Sequence, residues 1–300
     1  MEQTVYTHTP IAGKLPQTML PKGYALVCEG GGTRGFYSAG VFEAFMDKGI
    51  MFPYIIGVSA GAANALTYLS GQRLRSRQIV EHYVGDHRYV SKRNLLLHRS
   101  LFGMEFVFRT VPQQHIFFDW DTFHQCDVRL LTGAFDCDSG KTVWFEKQDV
   151  TPRMEANIAS ASVPFLSPIV HYKGLRLLDG GIASPIPIEQ SIADGNTFHV
   201  IVLTRNEGYV KPPFAHKTAL KLAYRRYPQL VRALLNRHEV YNRQLALCEQ
   251  LEREGKALLI RPQQPLRDGS TTGNDVPGLL ALYDEGHEEG REALRRLPLP

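Results

Sequence analysis

Apolar runs and amphipathic stretches alternate along the first seventy residues of the chain. Residues 24–28 and 53–56 are short apolar runs, and a glycine follows each of them closely, which is typical of buried strands. Residues 36–47 carry apolar side chains at helical spacing, and the stretch from Ala60 to Leu69 is rich in alanine. This order of strand, helix, strand and helix predicts an α/β fold with a mostly parallel central sheet covered by helices.

The same patterns divide the chain into three parts. Residues 1–21 have no clear period and are expected to form an N-terminal arm. Residues 22–205 carry the alternating strands and helices, including a hairpin predicted across residues 128–145. Residues 206–300 begin with a linker-like segment and are predicted to be mainly helical, with one strand at 257–261 returning to the sheet.

Composition is that of a globular protein with a sizeable core, since 43% of the residues are hydrophobic and 21% are charged. No run of about 20 apolar residues is present, so we expect no membrane-spanning helix. No basic patch followed by an apolar run opens the chain, which favours a cytoplasmic location. The four cysteines form no Cys-x-x-Cys pair, and no Cys/His set has the spacing of a zinc site.

The positive charge is concentrated near the C-terminal end. The formal net charge is +4, and residues 211–300 account for all of it, with 15 Lys and Arg against 11 Asp and Glu. A solvated helix face is the favoured interpretation. Peripheral contact with an anionic membrane, such as the inner face of the cell membrane, is the alternative. Nucleic acid is not an expected partner, because no recognised binding motif accompanies the charge.

A glycine cluster, Gly30-Gly31-Gly32-Thr33-Arg34-Gly35, separates the first strand from the first helix. It fits the dinucleotide pattern G-x-G-x-x-G, but the acidic residue required about 20 positions later is missing. No Gly-Lys-Ser/Thr follows, so it is not a P-loop either. The remaining interpretation is a nest of backbone N–H groups that point at an anionic oxygen.

A second motif, Gly57-Val58-Ser59-Ala60-Gly61, fits the nucleophile turn G-x-S-x-G. It follows a predicted strand and precedes a predicted helix, which is the context that exposes a nucleophilic serine. A serine hydroxyl needs a base to take its proton. Asp179 ends a predicted strand and precedes two glycines. By contrast, His199 lies within a strand, and His216 lies in the charged C-terminal part.

These motifs together resemble the patatin-like phospholipases, which are lipid acyl hydrolases, in their bacterial form. The matching pieces are the Gly30–Gly35 cluster, the Gly57–Gly61 turn, the block from Ala159 to Pro168, and Asp179-Gly180-Gly181. The resemblance covers roughly residues 22–205, which would then form the catalytic domain. One departure is Ser184-Pro185, where an Asn-containing turn is expected.

The resemblance implies a three-layer α/β/α fold and a serine acyl hydrolase that cleaves fatty-acyl esters of lipids through an acyl-enzyme. It assigns Ser59 as nucleophile, Asp179 as base, and the N–H groups of Gly30, Gly31 and Gly32 as oxyanion hole. Arg34 then helps to set the loop, and no metal or cofactor is implied. Two alternatives stay open: a Ser–His–Asp carboxylesterase using His199 or His216, and a non-catalytic lipid-binding module.

Residues 88–120 mix basic side chains with leucine and phenylalanine. Ordinary helices covering the sheet are the favoured interpretation. The alternative is a lid or acyl-chain groove that meets lipid, which would use residues such as Leu96 and Phe102.

Overall fold

The computed structural model describes residues 13–15, 18–265 and 274–298; residues 1–12 and 16–17 of the expected N-terminal arm lie outside the described residues. The strands of the described part are β1 (Thr18–Met19), β2 (Tyr24–Cys28), β3 (Ile50–Met51), β4 (Tyr54–Val58), β5 (Arg129–Asp136), β6 (Thr142–Glu146), β7 (Val170–Tyr172), β8 (Leu175–Asp179), β9 (Phe198–Val202) and β10 (Ala257–Ile260). Its α-helices are α1 (Gly35–Asp47), α2 (Ala60–Leu69), α3 (Arg75–Ile79), α4 (Lys92–His98), α5 (Trp120–Gln125), α6 (Glu155–Ser160), α7 (Ile188–Ala193), α8 (Lys217–Ala223), α9 (Pro228–Arg253) and α10 (Val276–Arg296). Shorter 3-10 segments cover Gly32–Arg34, Lys147–Asp149 and Gly180–Ile182, and π-helical segments cover Val80–Val84 and Phe106–His115.

The central sheet has eight strands in the order β10, β9, β2, β4, β5, β8 and β7, with β6 paired to β5 as the predicted hairpin. The five strands from β10 to β5 are parallel to one another. Their carboxyl ends therefore meet at one edge, where open α/β sheets place their ligands. The strand expected at 257–261 corresponds to β10, which pairs in parallel with β9.

Strand β8 runs antiparallel to β5 and pairs only with the last three residues of β5. Asp179 lies opposite Ala134, and the preceding residue of β5, Gly133, lies opposite Val58 of β4. This register brings the end of β8 level with the residue that follows β4. Asp179 and Ser59 thus meet at the same edge of the sheet although their strands run in opposite directions.

The two faces of the sheet are covered by different helices. In β2, Leu26 and Cys28 face a core that includes helices α1, α2 and α10, whereas Ala25 and Val27 face a core that includes α7 and α9. This alternation is the period-2 pattern of a strand buried on both sides. The expected three-layer α/β/α arrangement is confirmed, and each outer layer includes a helix from the C-terminal region.

Helices α1 and α10 approach each other closely along a line of glycines. A Cβ atom on Gly40 would lie 2.0 Å from the carbonyl oxygen of Tyr283, and one on Gly286 would lie 2.0 Å from that of Tyr37. Only glycine allows the two backbones to come this close. In the part of the chain that the structure describes, no helix is long and apolar enough to cross a bilayer.

Candidate active site

Ser59 occupies the sharp turn between β4 and α2. Its backbone has φ 53° and ψ −128°, a strained conformation that a non-glycine residue rarely adopts. The neighbouring glycines are required by space: a Cβ on Gly57 would lie 2.8 Å from the Ala62 nitrogen, and one on Gly61 would lie 2.7 Å from the Cys28 carbonyl oxygen. Local sterics and the nearby strand β2 therefore explain why this turn has the form Gly-x-Ser-x-Gly.

Asp179 lies beside Ser59 and is buried, with only 7% of its surface exposed. Its Oδ1 atom accepts a hydrogen bond of 2.7 Å from the Gly181 N–H. Burial raises the pKa of Asp179, while a hydrogen bond with the Ser59 side chain and the positive charge of Arg237 act in the opposite direction. The carboxylate is thus held next to the serine hydroxyl in surroundings that make it a stronger base than an exposed aspartate.

The Ala159–Pro168 block positions both of these residues. The Ser160 hydroxyl accepts a hydrogen bond of 2.8 Å from the Ser59 N–H and donates one of 2.6 Å to the Gly133 carbonyl. Two residues later, the Ser162 carbonyl accepts the Asp179 N–H at 2.8 Å. The sequence motif pointed to the block, but only its place between β4, β5 and β8 reveals this role for Ser160.

The Gly30–Gly32 loop passes directly over Ser59. A Cβ on Gly30 would lie 3.1 Å from that of Ser59, and the Gly30 N–H donates to the Pro185 carbonyl at 3.4 Å. Among the described residues, no acceptor is found for the N–H groups of Gly31 and Gly32. Gly32 has φ 59°, so glycine also suits its left-handed backbone. The residues of the unexpected Ser184-Pro185 turn thus hold this loop through a carbonyl oxygen.

Arg34 is only 7% exposed, and its Nε and Nη1 atoms have no hydrogen-bond partner among the described residues. Burial lowers its pKa, and the nearby Arg205 lowers it further, whereas Glu29 acts in the opposite direction. The side chain lines the cavity beside Ser59.

The two histidines considered as alternative bases lie elsewhere. His199 is buried within β9, its Nδ1 lies 3.0 Å from the Ser191 hydroxyl, and burial lowers its pKa to about 4. His216 precedes helix α8 and is exposed. In the described part of the chain, no histidine lines either of the two cavities next to Ser59.

Comparison with known protein families identifies the family of this chain. The family model of the patatin-like phospholipases matches residues 26–192, more than half of the chain. The chain belongs to the patatin-like phospholipase family. A second model, a domain of unknown function (DUF6363), matches residues 227–298, which include α9, β10 and α10.

This chain is similar to two known proteins, one matched by sequence and one by structure. The uncharacterized protein YjjU of Escherichia coli strain K12 is 26% identical over 287 residues, which cover 90% of this chain and 77% of YjjU. The crystal structure of VipD from Legionella pneumophila matches with a TM-score of 0.42 and 13% sequence identity. That match covers 91% of this chain and 66% of VipD, so the chain spans slightly less than two thirds of VipD.

Two cavities of different character meet at Ser59 of this member of the family. The first has a volume of about 150 Å³ and is mainly apolar, with Phe36, Leu66, Ile79, Val107, Phe108 and Met154 in its wall. The second has a volume of about 340 Å³ and contains the side chains of Asp179 and several basic residues. Gly32, Ser59, Phe102 and Val163 line both cavities.

The segment 88–120 contributes to the apolar cavity and also exposes a leucine cluster. Phe102 and Phe108 line the cavity, whereas Leu96 on helix α4 is 84% exposed and Leu97 is 60% exposed. Helix α4 thus presents apolar side chains to solvent next to the basic residues Lys92 and Arg93.

Proposed function

We propose that this protein is a serine acyl hydrolase that cleaves fatty-acyl esters of phospholipids through a Ser59–Asp179 dyad. The observation that carries the proposal is the strained Ser59 turn, which places the Ser59 side chain next to the buried Asp179 carboxylate. The family supplies the class of enzyme, and the adjoining apolar cavity suits an acyl chain.

In the first half of the reaction, the Ser59 oxygen attacks the ester carbonyl carbon while Asp179 takes the hydroxyl proton. The tetrahedral intermediate collapses as the carbon–oxygen bond to the alcohol breaks, and Asp179 returns its proton to the leaving alcohol oxygen. In the second half, Asp179 takes a proton from water, which attacks the acyl-enzyme and releases the fatty acid. The same proton then returns to Ser59.

The N–H groups of Gly31 and Gly32 are the proposed oxyanion donors, since neither has an acceptor among the described protein groups. The Gly30 N–H is directed to Pro185 instead, so its contribution in this proposal is to hold the loop. Helices α1 and α2 both begin at the site, and their N-terminal ends favour negative charge there. Each oxyanion donor of this kind typically contributes about 10²–10³ in rate.

The proposal is tested by covalent labelling and turnover. A fluorophosphonate probe should label the wild type and not Ser59→Ala, and p-nitrophenyl octanoate hydrolysis should disappear with the label. His199→Gln, which keeps a polar partner for Ser191, and His216→Ala should both retain labelling and hydrolysis. Loss of activity in a folded histidine variant would support the carboxylesterase alternative, and no labelling of the wild type would favour the non-catalytic lipid-binding module.

We further propose that helix α4 touches an anionic membrane. Three consecutive leucines on this helix are exposed between Lys92-Arg93 and Arg99. Exposed apolar side chains flanked by cations suit the interface of an anionic bilayer. Sedimentation with phosphatidylglycerol vesicles should bring the protein down, and phosphatidylcholine vesicles should do so less.

A further inference from the structure

Four basic side chains gather in the larger cavity beside Ser59. This cation cluster consists of Arg34, Arg205, Lys211 and Arg237, all of which line the cavity. Arg34 comes from the glycine loop, Arg205 and Lys211 from the segment after β9, and Arg237 from helix α9. The cluster therefore forms only in the folded chain.

No carboxylate of the described residues forms a direct ion pair with the cluster. Among the described residues, no Asp or Glu oxygen lies within 4.0 Å of a nitrogen of any of the four side chains. Arg237 donates to the Gly181 carbonyl at 2.5 Å, Arg205 lies over the Tyr209 ring at 4.3 Å, and Lys211 lies 5.4 Å from the Tyr241 ring. Arg34 is buried and the other three side chains are partly exposed, and bringing unpaired cations this close together is unfavourable unless an anion joins them.

Two observations indicate that the missing partner is an anion. Arg34 is more than nine-tenths buried, and its Nε and Nη1 atoms lack an acceptor in the described structure. Burial, together with the positive charges of Arg237 and Arg205, lowers the pKa of Lys211 to about 7, as expected for a cation held close to other cations.

The two acids of the cavity are already engaged. Glu29 accepts the Thr204 N–H at 2.6 Å, and burial raises its pKa. Asp179 accepts the Gly181 N–H and lies against the Ser59 side chain. The cavity therefore keeps an excess of positive charge.

The two cavities lie against the same serine, and this limits how an ester can bind. The acyl chain and the alcohol are attached to the carbonyl carbon on different sides, so a bound ester sends one into each cavity. The apolar cavity suits the acyl chain, which leaves the alcohol for the cationic cavity. Arginine clusters bind phosphate through charge-assisted hydrogen bonds.

We propose that the cation cluster binds the phosphate on the leaving alcohol, so that anionic phospholipids are the preferred substrates. This inference rests on the proposed acyl hydrolase function of Ser59. Three of the four cations follow residue 192 and lie outside the family match, and Arg237 lies in the region of unknown function. In this proposal the C-terminal region contributes to the active site by selecting the headgroup of the phospholipid substrate.

Lys211 is fixed for this task by helix α9. Its backbone N–H donates to the Asn242 side-chain oxygen at 2.8 Å, and the Asn242 amide donates to the Lys211 carbonyl at 3.2 Å. The segment that carries two of the cations is therefore attached to the helix that carries a third.

The test compares kcat/KM for three soluble dihexanoyl esters below their micelle concentrations: the phosphatidic acid, the phosphatidylcholine and the diacylglycerol. Wild type should favour the phosphatidic acid over the diacylglycerol by at least tenfold. Lys211→Met and Arg205→Gln should each reduce this preference by about tenfold to a hundredfold, the usual value of a charged hydrogen bond. Arg232→Gln, an exposed arginine on the same helix α9, is the matched control and should leave the preference unchanged.

Equal kcat/KM for the three esters in the wild type would overturn the proposal, as would a preference that survives in both cluster variants. Calorimetric titration of Ser59→Ala with glycerol 3-phosphate and inorganic phosphate separates this outcome from failure of the hydrolase proposal. Binding of glycerol 3-phosphate that is lost in Ser59→Ala/Lys211→Met supports the site even if no ester is cleaved. Binding of inorganic phosphate alone would overturn the headgroup assignment.

Discussion

Residues 26–192, which include Ser59, differ from the described residues between 205 and 298 in what they bring to the site. The first region, which matches the patatin-like phospholipases, supplies Ser59, Asp179, the glycine loop and the apolar cavity. The second supplies three basic side chains to the other cavity and one helix to each face of the sheet.

The two regions differ in the role that we propose for each. Backbone turns at strand ends hold the proposed reacting groups of the first region, and their hydrogen bonds reach residues of the same region. The basic groups of the second region are long side chains that gather without acidic partners. We infer that the first region determines which bond is broken, whereas the second influences which substrate is accepted.

The largest effect is expected for a variant that tests whether hydrolysis of charged and of neutral esters depends on the same base. Asp179→Asn should lower kcat/KM for charged and neutral esters alike by at least about 10³-fold, because it removes the proposed base. Burial raises the pKa of this carboxyl, so its contribution to stability is present at low pH and is lost as the pH rises through the folded pKa. The variant should therefore melt no lower than wild type at pH 7, measured by calorimetry.

Asp138→Asn is the matched control for that experiment, because Asp138 is exposed and forms a surface ion pair with Arg176. It should leave kcat/KM unchanged. Substantial activity in a folded Asp179→Asn protein would mean that another group takes the proton.

A second variant asks whether the C-terminal region is part of the fold. Gly286→Ala should lower the free energy of unfolding by about 3 kcal/mol, because its Cβ would lie 2.0 Å from the Tyr37 carbonyl oxygen. Urea denaturation measures the change. Gly85→Ala is the control: its Cβ would make only an ordinary contact of 3.5 Å with Val276. A neutral Gly286→Ala would show that α10 packs less closely on α1.

A third variant tests whether the Ser160 hydroxyl supports the Ser59 turn. Ser160→Ala removes the acceptor of the Ser59 N–H and should lower kcat by about tenfold to a hundredfold for every ester, since the turn loses its support. Ser162→Ala is the control, because its hydroxyl donates to the Ile158 carbonyl in the same helix end. Equal losses in both variants would assign the effect to helix α6 rather than to Ser59.

The leucine cluster on α4 allows a comparison of soluble and aggregated substrate. Leu96→Gln should reduce hydrolysis of phosphatidylglycerol vesicles by about tenfold, because one leucine no longer enters the interface, and should leave soluble esters unaffected. Phe102→Gln should reduce both rates, since Phe102 lines both cavities. Leu222→Gln, exposed on α8, is the control. Equal losses on both substrates for Leu96→Gln would exclude a membrane role.

The smallest expected effect is a pH dependence specific to the cationic cavity. Lys211 has a pKa of about 7, so it gains its charge as the pH falls and loses it as the pH rises. The groups that act on it are Arg237, Arg205, Glu29, Arg34 and the Tyr241 ring. We expect kcat/KM for dihexanoyl phosphatidic acid to fall several-fold between pH 6 and pH 8, relative to the diacylglycerol.

Lys211→Met should abolish this difference, and Lys217→Met, which changes an exposed lysine of α8, should keep it. A difference that persists without Lys211 would assign it to the ionisation of the phosphate itself.

Several features could be predicted from the sequence because neighbouring residues create them. The Ser59 turn needs small residues two positions before and after the serine, and the motif from Gly57 to Gly61 shows this requirement directly. The alternation of strands and helices, and with it the sheet, follows from hydrophobic period. Asp179 was predicted to lie at a strand end, although the antiparallel direction of β8 was not evident.

Other features depend on contacts between distant segments. A solvated helix face is the favoured interpretation of the positive charge in residues 211–300, and six of its basic residues are exposed: Lys217, Lys221, Arg225, Arg226, Arg232 and Arg243. Lys211 and Arg237 instead line the cavity of Ser59. Nothing in the local sequence separates these two from the other six, because that depends on how helix α9 and the segment between β9 and α8 pack against the rest of the fold.

By itself the sequence determined the strained serine turn, the glycine loop and the aspartate at a strand end, since each of these is a backbone requirement met within a few residues. Only the tertiary structure decided that Ser160 supports Ser59 and that four cations from distant positions meet beside it. The physical reason is that a side chain's partners depend on the packing of whole helices and strands, and that packing is set by the buried core rather than by the charged residues themselves.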